Sequence, residues 1–155
     1  MKLGIISDTH DFLHPRVPEL FAGVAHILHG GDVGMPDLLS QLEDIAPVTA
    51  VAGNTDVGNP IRLRPIEVIK VGGRKFLLHH ILDPRAPDPA LAARIARERP
   101  DVVVFGHTHK KFCETINGVL YLNPGYSGRP KFALERSVAI LHCDAKELRV
   151  EFLPL

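Results

Sequence analysis

Tryptophan is absent from this chain of 155 residues, cysteine occurs twice, and 18 Lys and Arg cancel 18 Asp and Glu. With no excess of positive charge, the chain has no overall field for holding nucleic acid or an anionic membrane. Basic pairs such as Lys110-Lys111 are too short to line a groove for a polyanion. Cys113 and Cys143 are far apart in sequence, lack the C-x2-C spacing of a zinc site, and sit in a chain too large to need disulfide staples. A reducing cytoplasm is therefore the expected compartment. No apolar run approaches the roughly 18 residues of a membrane span, and Leu3 to Ile6 is far shorter than the apolar region of a signal peptide. The remaining composition, 45% hydrophobic and 23% charged, is that of a globular protein, and the length suits one domain over residues 1–155. What is plentiful is histidine, with nine residues, the commonest metal ligand among side chains.

Apolar runs alternate with helical patterns along the first third of the chain. Lys2 to Ile6 reads as a buried strand, Pro15 to about Gly23 as a short helix, and Ala25 to Leu28 as a second strand. Pro36 to Ile45 carries Leu38, Leu39, Leu42 and Ile45 at helical spacing, and Val48 to Ala52 supplies a third strand. Such alternation implies a parallel sheet with its loops gathered at one edge. Hairpins follow: Ile66 to Val71 with Lys75 to Leu78 around Gly72-Gly73, Phe112 to Ile116 with Val119 to Leu122 around Asn117-Gly118, and Ser137 to Cys143 with Leu148 to Leu153. Between them, Pro87 to Arg99 predicts a surface helix and Asp101 to Phe105 a buried strand.

Polar residues able to hold a metal stand where these strands end: Asp8 and His10, Asp32, Asn54 and Asp56, His79 and His80, His107 and His109. Any one group has an ordinary explanation as a turn or cap. Five groups in succession, each after an apolar strand, point instead to one site, because ligands bind at the carboxyl ends of strands in open α/β sheets. Carboxylate, imidazole and amide oxygen without thiolate favour Mn, Fe, Zn, Ni or Mg. So many ligands exceed what one zinc takes and suit two ions sharing a bridging carboxylate.

The blocks Asp8-Thr9-His10, Gly30-Gly31-Asp32, Gly53-Asn54-Thr55-Asp56, His79, Gly106-His107-Thr108-His109 and Asn123-Pro124-Gly125 resemble the calcineurin-like metallophosphoesterase superfamily, in particular its compact bacterial and archaeal phosphodiesterases. The resemblance implies a four-layer α/β/β/α sandwich of two mixed sheets flanked by helices. It puts Asp8, His10 and His109 on one divalent ion and Asn54, His79 and His107 on the other, with Asp32 bridging and Asp56 hydrogen bonding behind them. Two divalent ions, of which Mn is expected, would act with Asn54 on a small phosphoester, the nucleophile being a hydroxide that bridges them.

Three positions depart from the family pattern. Thr55 stands where larger phosphatases carry a histidine that protonates the leaving group. His80 follows His79 where glycine is usual and is a candidate acid, and Tyr126 replaces a serine. Arg85 and Arg129, in loops near the motifs, have guanidinium forks that suit phosphate. His14, His26, His29 and His142 read as surface or strand residues, and both cysteines as small buried ones. A phosphomonoesterase and a nuclease are alternatives within hydrolases. A catalytically silent scaffold resembling the retromer subunit of this fold is the alternative outside them. The edges of the late strands also leave a homo-oligomer open.

Overall fold

The structure, a computed structural model, describes every residue except Ile61 and Ala145. Ten strands and three helices follow one another as β1 (Lys2–Ile6), α1 (Val17–Leu20), β2 (His26–His29), α2 (Pro36–Glu43), β3 (Val48–Ala50), β4 (Ile66–Val71), β5 (Arg74–His79), α3 (Pro89–Glu98), β6 (Val102–Val104), β7 (Lys111–Ile116), β8 (Val119–Pro124), β9 (Ser137–Cys143) and β10 (Leu148–Pro154). They form two five-stranded sheets, ordered β10-β9-β1-β2-β3 and β4-β5-β6-β8-β7. In the first sheet β1, β2 and β3 run parallel, and in the second β5, β6 and β8 do. Three antiparallel hairpins, β4–β5, β7–β8 and β9–β10, complete the sheets, with β9 antiparallel to β1.

Side-chain alternation along the strands builds the layers. Leu3 and Ile5 of β1, Phe76 and Leu78 of β5, Val102 and Val104 of β6, and Leu120 and Leu122 of β8 meet between the sheets. The opposite faces of the same strands pack outward. Ile6 and Ile27 meet α1 and α2 through Val17, Phe21, Leu38 and Leu42, while Leu77, Val103 and Tyr121 meet α3 through Leu91 and Ile95. Helix, sheet, sheet and helix are thus the four layers expected of the family. Gly4 fits this packing because a Cβ there would stand 2.8 Å from the Phe21 ring.

The helices begin where their sequences say. Pro36 and Pro89 occupy the first turns of α2 and α3, where the missing N–H is not needed. The Asp88 carboxylate caps α3 by accepting from the Ala90 and Leu91 N–H groups. Helix α1 is a single turn, shorter than the predicted segment. The carboxyl ends of β1, β2, β5 and β6 come together at one rim of the sandwich, where the loops that follow them carry the chemistry. Among the described residues no helix is long and apolar enough to cross a membrane.

Candidate metal centre

Asp8, His10, Asp32, His107 and His109 all adopt left-handed φ angles between 45° and 69°. That conformation costs an L-residue about 1 kcal/mol or more, and such strain gathers where function requires it. Only nine non-glycine residues of those described have positive φ, so more than half of them are candidate ligands.

The Asp8 carboxylate is fully buried and divided in its tasks. Oδ2 accepts from the Ser7 hydroxyl at 2.6 Å and from the His107 N–H at 3.2 Å. Oδ1 has no hydrogen-bond donor and lies 3.2 Å from His109 Nε2. His10 Nε2 is likewise buried without a hydrogen-bond partner. Asp32 repeats the arrangement: Oδ1 accepts from the Thr55 N–H at 2.9 Å, leaving Oδ2 between His80 Nε2 at 3.3 Å and His10 Nε2 at 3.7 Å. Asn54 Oδ1 is 3.1 Å from His80 Nε2 and 3.0 Å from His107 Nδ1.

His80 is 2% exposed, and its Nδ1 donates to the Gly30 carbonyl at 2.7 Å. That bond turns Nε2 toward Asp8 Oδ1, Asp32 Oδ2 and Asn54 Oδ1, all acceptors. Acceptors crowded in this way favour a proton or a metal ion at their centre. Without a metal the group recruits protons: burial raises the Asp8 pKa, and the His80 pKa is raised because Asp32 and Asp8 outweigh its burial. Burial opposes ionisation of Asp32 too, but hydrogen bonds from His80 and the Thr55 backbone hold its carboxyl well below the usual carboxylate range. Burial lowers the His109 pKa, which favours the neutral imidazole that ligation needs. The clusters Asp8–His10–His109 and Asp8–Asp32–His80 each bring their ligand atoms close enough to hold one ion. The donor set of carboxylate, imidazole and amide oxygen therefore fits divalent metal ions.

Glycines allow these approaches. A Cβ at Gly31 would stand 2.6 Å from His80 Nδ1, and one at Gly106 would stand 2.6 Å from Asp8 Oδ2.

The family resemblance puts His79 among the ligands, whereas its side chain lies outside the cluster. Along β5, Phe76 and Leu78 point between the sheets while Leu77 points to α3. His79 follows Leu77, bonds the Ile81 carbonyl at 2.8 Å, and borders a groove with Asp88, Ala90 and Leu91. His80 has the parity of Leu78 and enters the cluster. The same placement argues against His80 as a free proton donor, because its Nδ1 is committed and its Nε2 faces the carboxylates. Asp56 accepts from the N–H groups of Val33, Gly34 and Gly53, tying together the loops after β2 and β3 behind Asp32 and Asn54.

Arg85 is engaged elsewhere, with its guanidinium 2.9 and 2.7 Å from the two Glu114 oxygens and over the Phe112 ring. Tyr126 is buried against the histidines, its ring centroid 4.8 Å from that of His109 and 6.1 Å from that of His10. Cys113 is exposed, and Cys143 alone is buried.

Sequence reasoning missed the support behind the ligands. His29 is fully buried, and its Nδ1 accepts from the Gly31 N–H, so Nε2 donates to Thr9 Oγ1 at 2.9 Å; Thr9 then donates to the Val33 carbonyl at 2.8 Å. Burial lowers the His29 pKa to about 3, which keeps this tautomer neutral. Asn123 Nδ2 donates to the Gly106 carbonyl and to Thr108 Oγ1, bracing the loop that carries His107 and His109. The Ser127 hydroxyl bonds the Ser7 carbonyl at 2.6 Å. The signal for His29 was its place at the end of an apolar strand, directly before Gly30-Gly31.

Residues 1–146 match the model of the calcineurin-like phosphoesterase superfamily domain. A probable metallophosphoesterase of Methanothermobacter thermautotrophicus is 35% identical, over 99% of this chain and 92% of its own length. The phosphodiesterase YfcE of Escherichia coli K12 is 32% identical, over 93% of this chain and 89% of its own. Among solved structures, Vps29 of Entamoeba histolytica complexed with zinc superposes with a TM-score of 0.73 at 23% identity, covering 99% of both chains, a likeness of fold. With its family model spanning nearly the whole chain, this protein belongs to the calcineurin-like phosphoesterase superfamily.

Proposed function

We propose that the chain acts as one domain hydrolysing a phosphodiester with two divalent metal ions, Mn being the ion expected, in the cytoplasm. The observation that carries this reading is Asp32 Oδ2, which lies within 4 Å of both His10 Nε2 and His80 Nε2. Each of those nitrogens belongs to a cluster that includes Asp8, whose buried Oδ1 has no hydrogen-bond donor. Asp8, His10 and His109 are assigned to one ion, Asn54, His80 and His107 to the other, and Asp32 to both. Such a pair, when bound, would activate water as the nucleophile and would neutralise the phosphoryl oxygens.

The chain's own groups hold and orient. Ser7 and the His107 N–H keep Asp8 Oδ1 aimed inward, the Gly30 carbonyl keeps His80 Nε2 turned toward the carboxylates, and the Asn54 carboxamide stands at the exposed mouth beside His107. Thr55 follows Asn54 where the larger phosphatases of the family carry the histidine that protonates the leaving group, which favours esters of acidic alcohols or phenols. The name phosphodiesterase given to a relative at 32% identity supports the same class.

A scaffold role has its own support in the likeness to Vps29, and that structure's bound zinc means that metal binding alone does not separate the two readings. Turnover does. Metal-stripped protein with Mn restored is expected to cleave bis(p-nitrophenyl) phosphate faster than p-nitrophenyl phosphate, with activity lost in Asp8→Ala and His107→Ala. If Mn, Ni, Mg and Zn all fail to restore cleavage of either ester, the scaffold reading replaces this one.

A further inference from the structure

Beyond Tyr126 the chain turns through an exposed loop whose cations have no acidic partner. Arg129 and Lys131 form no ion pair and no side-chain hydrogen bond among the described residues, and the nearby Glu135 is engaged by Lys111 at 3.0 Å. The loop is nevertheless fixed beside the metal centre. The Tyr126 hydroxyl donates to the Arg129 carbonyl at 3.0 Å, and a Cβ at Gly128 would stand 2.5 Å from that hydroxyl oxygen. The Lys131 ammonium lies 5.1 Å from the centroid of the Tyr126 ring, whose other contacts are His109 and His10. The Arg129 guanidinium lies 5.1 Å from the Phe12 ring, two residues after His10. Both charges therefore rest on aromatic faces at the rim of the site with their N–H donors unused.

We propose that Arg129 and Lys131 form a second anion subsite, and that the preferred substrate is a phosphodiester bearing an additional phosphate. One aromatic ring separates the ammonium from His109, a spacing that suits a phosphate one sugar away from the reacting phosphorus better than a directly linked phosphoanhydride. A nucleoside phosphodiester with a phosphate on its other hydroxyl has this form. Water adds its oxygen to phosphorus, the bond to the leaving oxygen breaks, and the second phosphate stays unchanged, held by the two cations.

The inference rests on the phosphodiesterase reading, and its test separates the two. Thymidine 5′-(p-nitrophenyl phosphate) and its 3′-phosphorylated form share leaving group and diester and differ only in the added phosphate. The Mn-loaded protein is expected to show kcat/KM about 10-fold higher for the phosphorylated form, the effect of a charge-assisted contact. The ratio is expected to fall toward one in Arg129→Gln with Lys131→Gln and to persist in Lys70→Gln, an exposed charge removed on β4. A calorimetric arm needs no turnover: thymidine 3′,5′-bisphosphate should bind Mn-loaded wild type about 10-fold more tightly than thymidine 5′-phosphate, and the preference should vanish in the double variant. A preference near one in wild type, or one equally reduced in Lys70→Gln, overturns the subsite. Failure to cleave either diester while the bisphosphate preference holds overturns the hydrolase reading and leaves the anion subsite standing.

Discussion

His79 and His80 are chemically identical neighbours with different fates, decided by the alternation of a strand. His79 faces α3 with Leu77, and His80 faces the inter-sheet side with Leu78 and finds its Nδ1 fixed by Gly30. Removing a ligand affects metal affinity far more than removing a groove residue. His80→Ala is expected to lose one of two Mn equivalents in a calorimetric titration, with affinity at that site reduced at least about 100-fold. His79→Ala should retain both. The reverse result would return the ligand role to His79. The clue was present in the sequence, because counting from Phe76 gives His80 the core-facing parity. The family pattern, which aligns its histidine to His79, outweighed it.

At the scale of elements, the loops after β1, β2 and β3 are joined by buried side chains. His29 links Gly31 to Thr9, Thr9 links to Val33, and Asp56 links Val33, Gly34 and Gly53. The neutrality of His29 makes this arrangement sensitive to acid. Its folded pKa of about 3 lies below the ordinary histidine value of 6.5, so between those values the unfolded chain binds a proton that the folded chain does not. Stability from this residue is complete above about pH 6.5 and is lost as pH falls toward 3. Asp56, His80, Asp32 and His10 surround the ring and also contribute to its shift. Urea unfolding of metal-free protein at pH 6.5 and pH 5 should show wild type losing about 2 kcal/mol more than His29→Gln, about 1.4 kcal/mol for each pH unit. Equal losses would mean that His29 is protonated in the folded protein. The strands and α2 and α3 were legible from apolar spacing and proline position. The bracing was not, because His29, Thr9 and Asn123 act through backbone groups brought near only by the sheets.

Across the whole molecule, two sheets press a shared core while the Asp8 and Asp32 carboxylates stand together at its rim, Asp8 Oδ1 without a hydrogen-bond donor. Gathering those lone pairs opposes folding until a cation arrives. Metal binding to the folded chain is therefore coupled to stability. At a Mn concentration about 100 times the dissociation constant, the gain of about 2.7 kcal/mol should raise the melting temperature by roughly 5–10 °C, measured by calorimetry against chelator-treated protein. An unchanged melting temperature with Mn, Zn, Ni and Mg alike would refute a native metal site.

The sequence by itself located the strands and the longer helices, because apolar periodicity distinguishes them, and most of the candidate ligands, because polar residues recur at strand ends; the layer order was what the family resemblance implied. Tertiary structure decided which of two adjacent histidines enters the cluster. It also decided that Arg85 is bound to Glu114 while Arg129 rests on the Phe12 ring with no ion pair among the described residues, and that Tyr126 packs under His10 and His109. Local pattern specifies the facing and type of a segment, whereas partnership between residues far apart in the chain exists only once the two sheets have closed on one another.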